Sequence, residues 1–119
     1  MTQPPLIDRA VINDLAKYIG AETTRSVLTL FIVESGAYLA AIAEAGTQPS
    51  DPGRRDRARR AAHSLKSCAG QIGAAALSAA AVAVESSATD GAPDLAQAVA
   101  SLHQCAEDTM QALREFLAE

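Results

Sequence analysis

Apolar positions recur along the chain at intervals of three and four, and glycine, proline and aspartate mark the breaks between the periodic runs. That spacing is helical, and no alternating run supports a strand. Five segments follow from it. The first is predicted from Asp8, a good N-cap, to Ile19, with Gly20 as its stop and Val11, Ile12, Leu15, Tyr18 and Ile19 as its apolar stripe. The second runs from Glu22 to Ala45, places Val27, Leu28, Phe31, Tyr38 and Ile42 on one face, and meets Gly46 at its end. Residues 46–53 read as a loop. The third begins with Asp51 as N-cap and Pro52 at the first helical position, where a missing N–H costs nothing, and continues to Ile72, weakened at Gly70 and ended or bent at Gly73. The fourth covers 74–88 with Leu77, Ala81 and Val84 inward, and 89–93 is the next turn. The fifth, Pro93 to Leu117, repeats Leu95, Val99, Leu102, Ala106, Thr109, Leu113 and Phe116 in steps of four and three, the seam of an antiparallel bundle helix.

Four long helices behind a short one, joined by short loops, give an all-α fold: an up-down antiparallel four-helix bundle with an additional short N-terminal helix, in one domain over 1–119. Composition sharpens this. Hydrophobic residues make up 49% of the chain but aromatics only 3%, so alanine must fill much of the core and the helices must pack closely. Cys68 and Cys105 suit neither a zinc ribbon nor a CxxC pair and are expected to be small buried hydrophobes of a reduced, cytoplasmic protein. No stretch is expected to approach the roughly 20 apolar residues of a membrane span.

The net charge of −4 argues against general affinity for nucleic acid or for an anionic membrane. Its distribution is uneven. Residues 51–66 hold Arg54, Arg55, Arg57, Arg59, Arg60 and Lys66 against Asp51 and Asp56, a local +4, so the remainder carries −8. A basic strip on an acidic chain suggests a specific anionic partner, set against the ordinary reading of a solvated helix face.

The same segment carries the candidate chemistry. On a wheel of about 100° per residue, Asp56, Arg59, Arg60, Lys66, Ser67 and Gly70 share the side of His63, while Ala58, Ala61, Leu65, Cys68, Ala69 and Ile72 collect opposite. His63 therefore belongs to a polar face and not to the core. Lys66 is its neighbour three residues on and can neutralise an anionic group attached to the ring. Ser67 and Gly70 leave clearance beside it. Between Ala61 and Ala88 the charged residues are Lys66 and Glu85, so Glu85 is a candidate to accept a hydrogen bond from one ring nitrogen and leave the other free to attack. The alternative is an ordinary exposed glutamate.

The run Ala62-His63-Ser64-Leu65-Lys66-Ser67-Cys68-Ala69-Gly70-Gln71-Ile72-Gly73, followed by Leu77 and Glu85, resembles the signature of histidine-containing phosphotransfer (HPt) domains, with Phe31 in the second helix also matching. The resemblance implies that His63 is the phosphoacceptor, Lys66 the phosphoryl-stabilising cation, and Glu85 the residue that contacts the histidine. It departs in one place: Ser67 stands where the family usually has glycine. It further implies a monomer that relays a phosphoryl group between receiver domains of hybrid histidine kinases and response regulators. Such a chain has no kinase activity, metal or cofactor of its own, the magnesium being held by the receiver. Arg55, Arg59 and Arg60 are candidates for docking the receiver, with a lesser contribution from Val11, Ile12 and Leu15.

Two other readings compete. A non-catalytic bundle could dock an acidic partner through its arginines with His63 incidental. A metal site from His63 and His103 is disfavoured, because Arg60 and Ala100 stand where a Glu-x-x-His pair needs glutamate.

Overall fold

A computed structural model describes residues 3–91 and 93–119. It contains five helices: α1 (Arg9–Ile19), α2 (Ala21–Thr47), α3 (Pro52–Gln71), α4 (Ala75–Asp90) and α5 (Leu95–Ala118). Among the described residues there is no strand. Helices α2 to α5 each pack on their sequence neighbours, α5 returns to α2, and α1 lies against α2. The expected bundle with its leading helix is the observed fold. Its long axis of 44 Å is close to the roughly 40 Å that the 27 residues of α2 span at 1.5 Å each.

The core is built as the periodicity requires. Leu28, Phe31 and Ile42 from α2, Leu65 from α3, Leu77 and Val84 from α4, and Leu95, Leu102 and Leu113 from α5 are all buried, each contributing about 1.5–3 kcal/mol. Alanines 45, 58, 61, 62, 69, 74, 81, 88 and 106 fill the spaces between them. Thr24 and Ser35 are buried too, which their polarity conceals in the sequence. Each donates its hydroxyl to the carbonyl four residues back, Thr24 to Gly20 at 2.8 Å and Ser35 to Phe31 at 2.6 Å.

The end of the bundle that carries the α3–α4 turn is closed by the N-terminal segment. Asp8 N–H donates to the Gly73 carbonyl at 2.7 Å, and Ala76 N–H, one of the unpaired donors that open α4, donates to Pro5 at 2.9 Å. Gly73 has φ +84, and a Cβ there would stand 2.8 Å from the Asp8 carbonyl oxygen, so both the turn and the close approach require glycine. Arg9 pairs with Glu119 and lies 4.9 Å from the centre of the Phe116 ring, and Arg25 donates to the Leu117 carbonyl.

Several expectations are corrected. Tyr18 is 87% exposed and Ile19 is exposed as well, because the turn at Gly20 carries the end of α1 away from the bundle. Helix α2 does not stop at Gly46. That residue lies against Val99, where a Cβ would come within 2.8 Å of Cγ1, so its glycine serves the α2–α5 approach and the helix runs on to Thr47. Helix α4 likewise continues to Asp90, with Gly91 in the left-handed conformation as its cap. Ala92 of the expected turn lies outside the described residues. Cys68 and Cys105 are free thiols but only half-buried. Helix α2 is also long and apolar enough to cross a membrane by length and composition, with a mean hydropathy of 1.7 over 18 residues. Here Leu28, Phe31 and Ile42 on it face the protein core.

Candidate functional site

Helix α3 is started by its own sequence. The Asp51 carboxylate accepts from the Arg54 N–H at 2.9 Å, and this bond, opposed by a smaller desolvation, lowers the Asp51 pKa. About three turns of arginine-rich helix then lead to His63. Its inner neighbours Ala61, Ala62 and Leu65 are buried, while its ring is 61% exposed.

The antiparallel course of α4 brings Glu85, 22 residues away in sequence, across from it. His63 Nδ1 and Glu85 Oε2 are 2.7 Å apart, and Lys66 Nζ donates to Glu85 Oε1 at 3.2 Å. One carboxylate thus serves both groups. Desolvation works to raise the Glu85 pKa, but the hydrogen bonds from His63 and Lys66 and their charges outweigh it, and the carboxyl is held below its ordinary value. An ionised carboxylate can only accept. Nδ1 is therefore the donor in this contact, and in the neutral ring the lone pair is left on Nε2, on the far side from Glu85.

The sequence thus brought together His63, Lys66 and Glu85, and the structure places the three in one hydrogen-bonded group. Lys66 is engaged with the same carboxylate that contacts the ring. Ser67 is exposed, its hydroxyl turned back toward the His63 carbonyl at 3.4 Å. Gly70 is exposed one turn further, and a Cβ there would make ordinary contact with Ser78 Oγ at 3.5 Å. Arg59 and Arg60 both pair with Asp56, at 2.8 and 3.1 Å, on the exposed side of the helix before His63.

Arg55 departs from the docking position expected of it. Its guanidinium turns inward and donates to the carbonyls of Pro49 at 2.6 Å, Ser87 at 2.8 Å and Ala88 at 3.1 Å. The Ser87 and Ala88 carbonyls lie at the end of α4, and nothing in the linear sequence places that end beside Arg55. Ile12 departs too. It is buried, and Val11 packs beside Gly73, so this part of α1 caps the bundle end. Ser78, which the sequence did not single out, donates to the Lys66 carbonyl at 2.9 Å. His103 lines a different cleft, of about 240 Å³, with Leu39, Ala106, Glu107, Met110 and Arg114, and its Nε2 is buried without a hydrogen-bond partner.

The third helix of this bundle thus presents an exposed histidine in contact with a carboxylate from the fourth. The Hpt domain family model matches residues 26–118. The chain belongs to the Hpt domain family, the histidine-containing phosphotransfer domains of phosphorelays, which interact with receiver domains. Among solved structures it is similar to histidine-containing phosphotransfer protein B (HptB) from Pseudomonas aeruginosa PAO1, with a TM-score of 0.82 and 20% identity over 96% of each chain. At that identity the likeness is one of fold. Its coverage is too large to omit the whole of α1, which the family match leaves out. No curated protein sequence matches the chain.

Proposed function

We propose that the chain carries a phosphoryl group on Nε2 of His63, taking it from the receiver-domain aspartate of a hybrid histidine kinase and giving it to that of a response regulator. The observation that carries this reading is the 2.7 Å contact between Nδ1 and Glu85 on a ring that is 61% exposed. Nε2 attacks the phosphorus of the acyl phosphate in line. The N–P bond forms, the P–O bond to the aspartate breaks, and the carboxylate leaves with its electron pair. As Nε2 gives up its lone pair the ring becomes more acidic, and Glu85 stabilises the hydrogen on Nδ1. Lys66 faces the new negative charge. Transfer onward is the same step in reverse on a second receiver.

The surroundings support this use. Serine at 67 and glycine at 70 leave the approach to the ring open. Arg59 and Arg60 offer positive charge to the acidic pocket of a receiver, and Asp56 keeps them ordered until it arrives. With Arg55 turned inward, these two are the docking cations of α3.

Incubation with a receiver phosphorylated with labelled phosphate tests the proposal. The expected product is an acid-labile, base-stable label on the chain that is absent from His63→Gln. A protein that binds the receiver without acquiring label, or a label that survives His63→Gln, overturns it in favour of a docking bundle or a different acceptor.

A further inference from the structure

The orientation of His63 depends on where α4 stops along α3, and the packing between these helices is poorly suited to deciding that. The buried side chains of the two helices are largely alanine, 58, 61, 62 and 69 on α3 and 81 and 88 on α4, beside Leu65, Leu77 and Val84. Methyl side chains form shallow ridges, and shallow ridges resist sliding weakly. A slip of one turn, about 5.4 Å, would bring Ala81 or Thr89 to the place of Glu85.

Side-chain-to-backbone hydrogen bonds from two residues, Ser78 and Arg55, bracket the site. On one side Ser78 Oγ donates to the Lys66 carbonyl at 2.9 Å. On the other, Arg55 Nη2 donates to Ser87 and Ala88, at 2.8 and 3.1 Å. These carbonyls belong to the last turn of α4, and that of Ser87 also accepts the N–H of the cap residue Gly91. The guanidinium lies against Gly91, where a Cβ would make ordinary contact with Nη2 at 3.6 Å. The same guanidinium holds Pro49 at 2.6 Å, which ties the loop before α3 into the grip.

Both tethers state one register. With Lys66 across from Ser78 and Arg55 across from Ala88, the backbone opposite His63 is at Ala81, and Glu85 stands one turn beyond. Side chains on a helix lean toward its N-terminus, so on antiparallel helices His63 and Glu85 lean toward each other and meet in the 2.7 Å contact. We propose that Arg55 is a positioning residue for His63, fixing the axial place of α4, with Ser78 as the second tether, so that Glu85 selects the nucleophilic tautomer. This rests on the proposed role of His63 only for its consequence in transfer. The tautomer itself is a property of the unphosphorylated protein.

The test reads the ring directly. In wild type, ¹⁵N–¹H correlation spectra of His63 are expected to show the Nδ1–H tautomer. In Arg55→Met they are expected to move toward the Nε2–H form that a free neutral imidazole side chain prefers, with phosphotransfer about tenfold slower. Arg55→Lys, which restores donors without the fork, should recover part of both, and Ser78→Ala should shift the tautomer in the same direction by less. Ile42→Val, a core change in α2 that lowers stability and alters neither tether, should leave the tautomer as it was. If Arg55→Met does not fold, Arg55→Lys and Ser78→Ala decide. An unaltered tautomer in the folded variants, or an equal shift in Ile42→Val, overturns the proposal. A shifted tautomer in a chain that never acquires label would instead overturn the phosphotransfer reading and leave the positioning intact.

Discussion

The chain holds two histidines on two helix pairs, and they are set up in opposite ways. On the α3–α4 face His63 is exposed at its ring, has one nitrogen bonded to an ionised carboxylate, and has a lysine on the same carboxylate. In the cleft lined by Leu39 and α5, His103 has a buried Nε2 with no partner. The residue type is the same, and only the first has a group that assigns its hydrogen. A histidine becomes a directed nucleophile through what stands across from it, so the carboxylate on the neighbouring helix is as informative as the imidazole.

Removing that carboxylate should break the contrast most strongly. Glu85→Ala leaves the ring free to rotate and exchange tautomers, and transfer should fall about a hundredfold, measured as the rate of label acquisition from a phosphorylated receiver. Glu85→Gln should recover most of the loss because its amide oxygen still accepts from Nδ1. Equal damage from both would mean that the negative charge matters more than the orientation.

Lys66→Ala should leave the fold intact and shorten the lifetime or slow the formation of phosphohistidine about tenfold, the worth of one charge-assisted contact at a half-exposed position. Decay of isolated labelled protein separates the two effects, and unchanged kinetics in both would remove Lys66 from the mechanism.

Acid should dissolve the contrast over a defined range. The Glu85 carboxyl is held below its ordinary value in the folded chain. Its contribution to stability is therefore complete above the unfolded glutamate value of about 4.3 and is lost as pH falls through the lower folded value. The Asp51 cap, also lowered, behaves in the same sense at the start of α3. A ¹³C titration of the Glu85 carboxyl should show a midpoint under that of a free glutamate, and a midpoint at or above it would mean that desolvation wins.

The smallest effect lies in the other cleft. His103→Leu removes a buried unpaired nitrogen at similar volume and should raise stability by about 1 kcal/mol, read from the denaturant midpoint, with label acquisition unchanged. A fall of that size would show that the ring has a partner worth keeping.

The two regions also differ in how far they could be read in advance. Wheel position alone put His63, Lys66, Ser67 and Gly70 on one face, because those residues lie within two turns of a single helix. Glu85 was legible as a lone charge in a charge-poor stretch, although its contact depends on tertiary register. Arg55 reads as one of the docking arginines of an exposed basic strip, since the Ser87 and Ala88 carbonyls that turn it inward belong to a helix end more than thirty residues away. Gly46 reads as a stop because glycine at a helix end usually is one, and only the approach of Val99 shows otherwise. Short-range periodicity sets the elements and their inner faces. The meetings between elements are set by close packing and a few polar tethers that leave no mark on spacing.

The ring of His63 offers one nitrogen turned away from Glu85, on the exposed face of α3. On the proposed function every donor and every acceptor has to come to that one atom from the same direction, so two receivers cannot occupy it together. Exchange through it would then be ping-pong, each delivery ending in departure before the next begins, and an excess of either receiver in its unphosphorylated form would slow the traffic of the other.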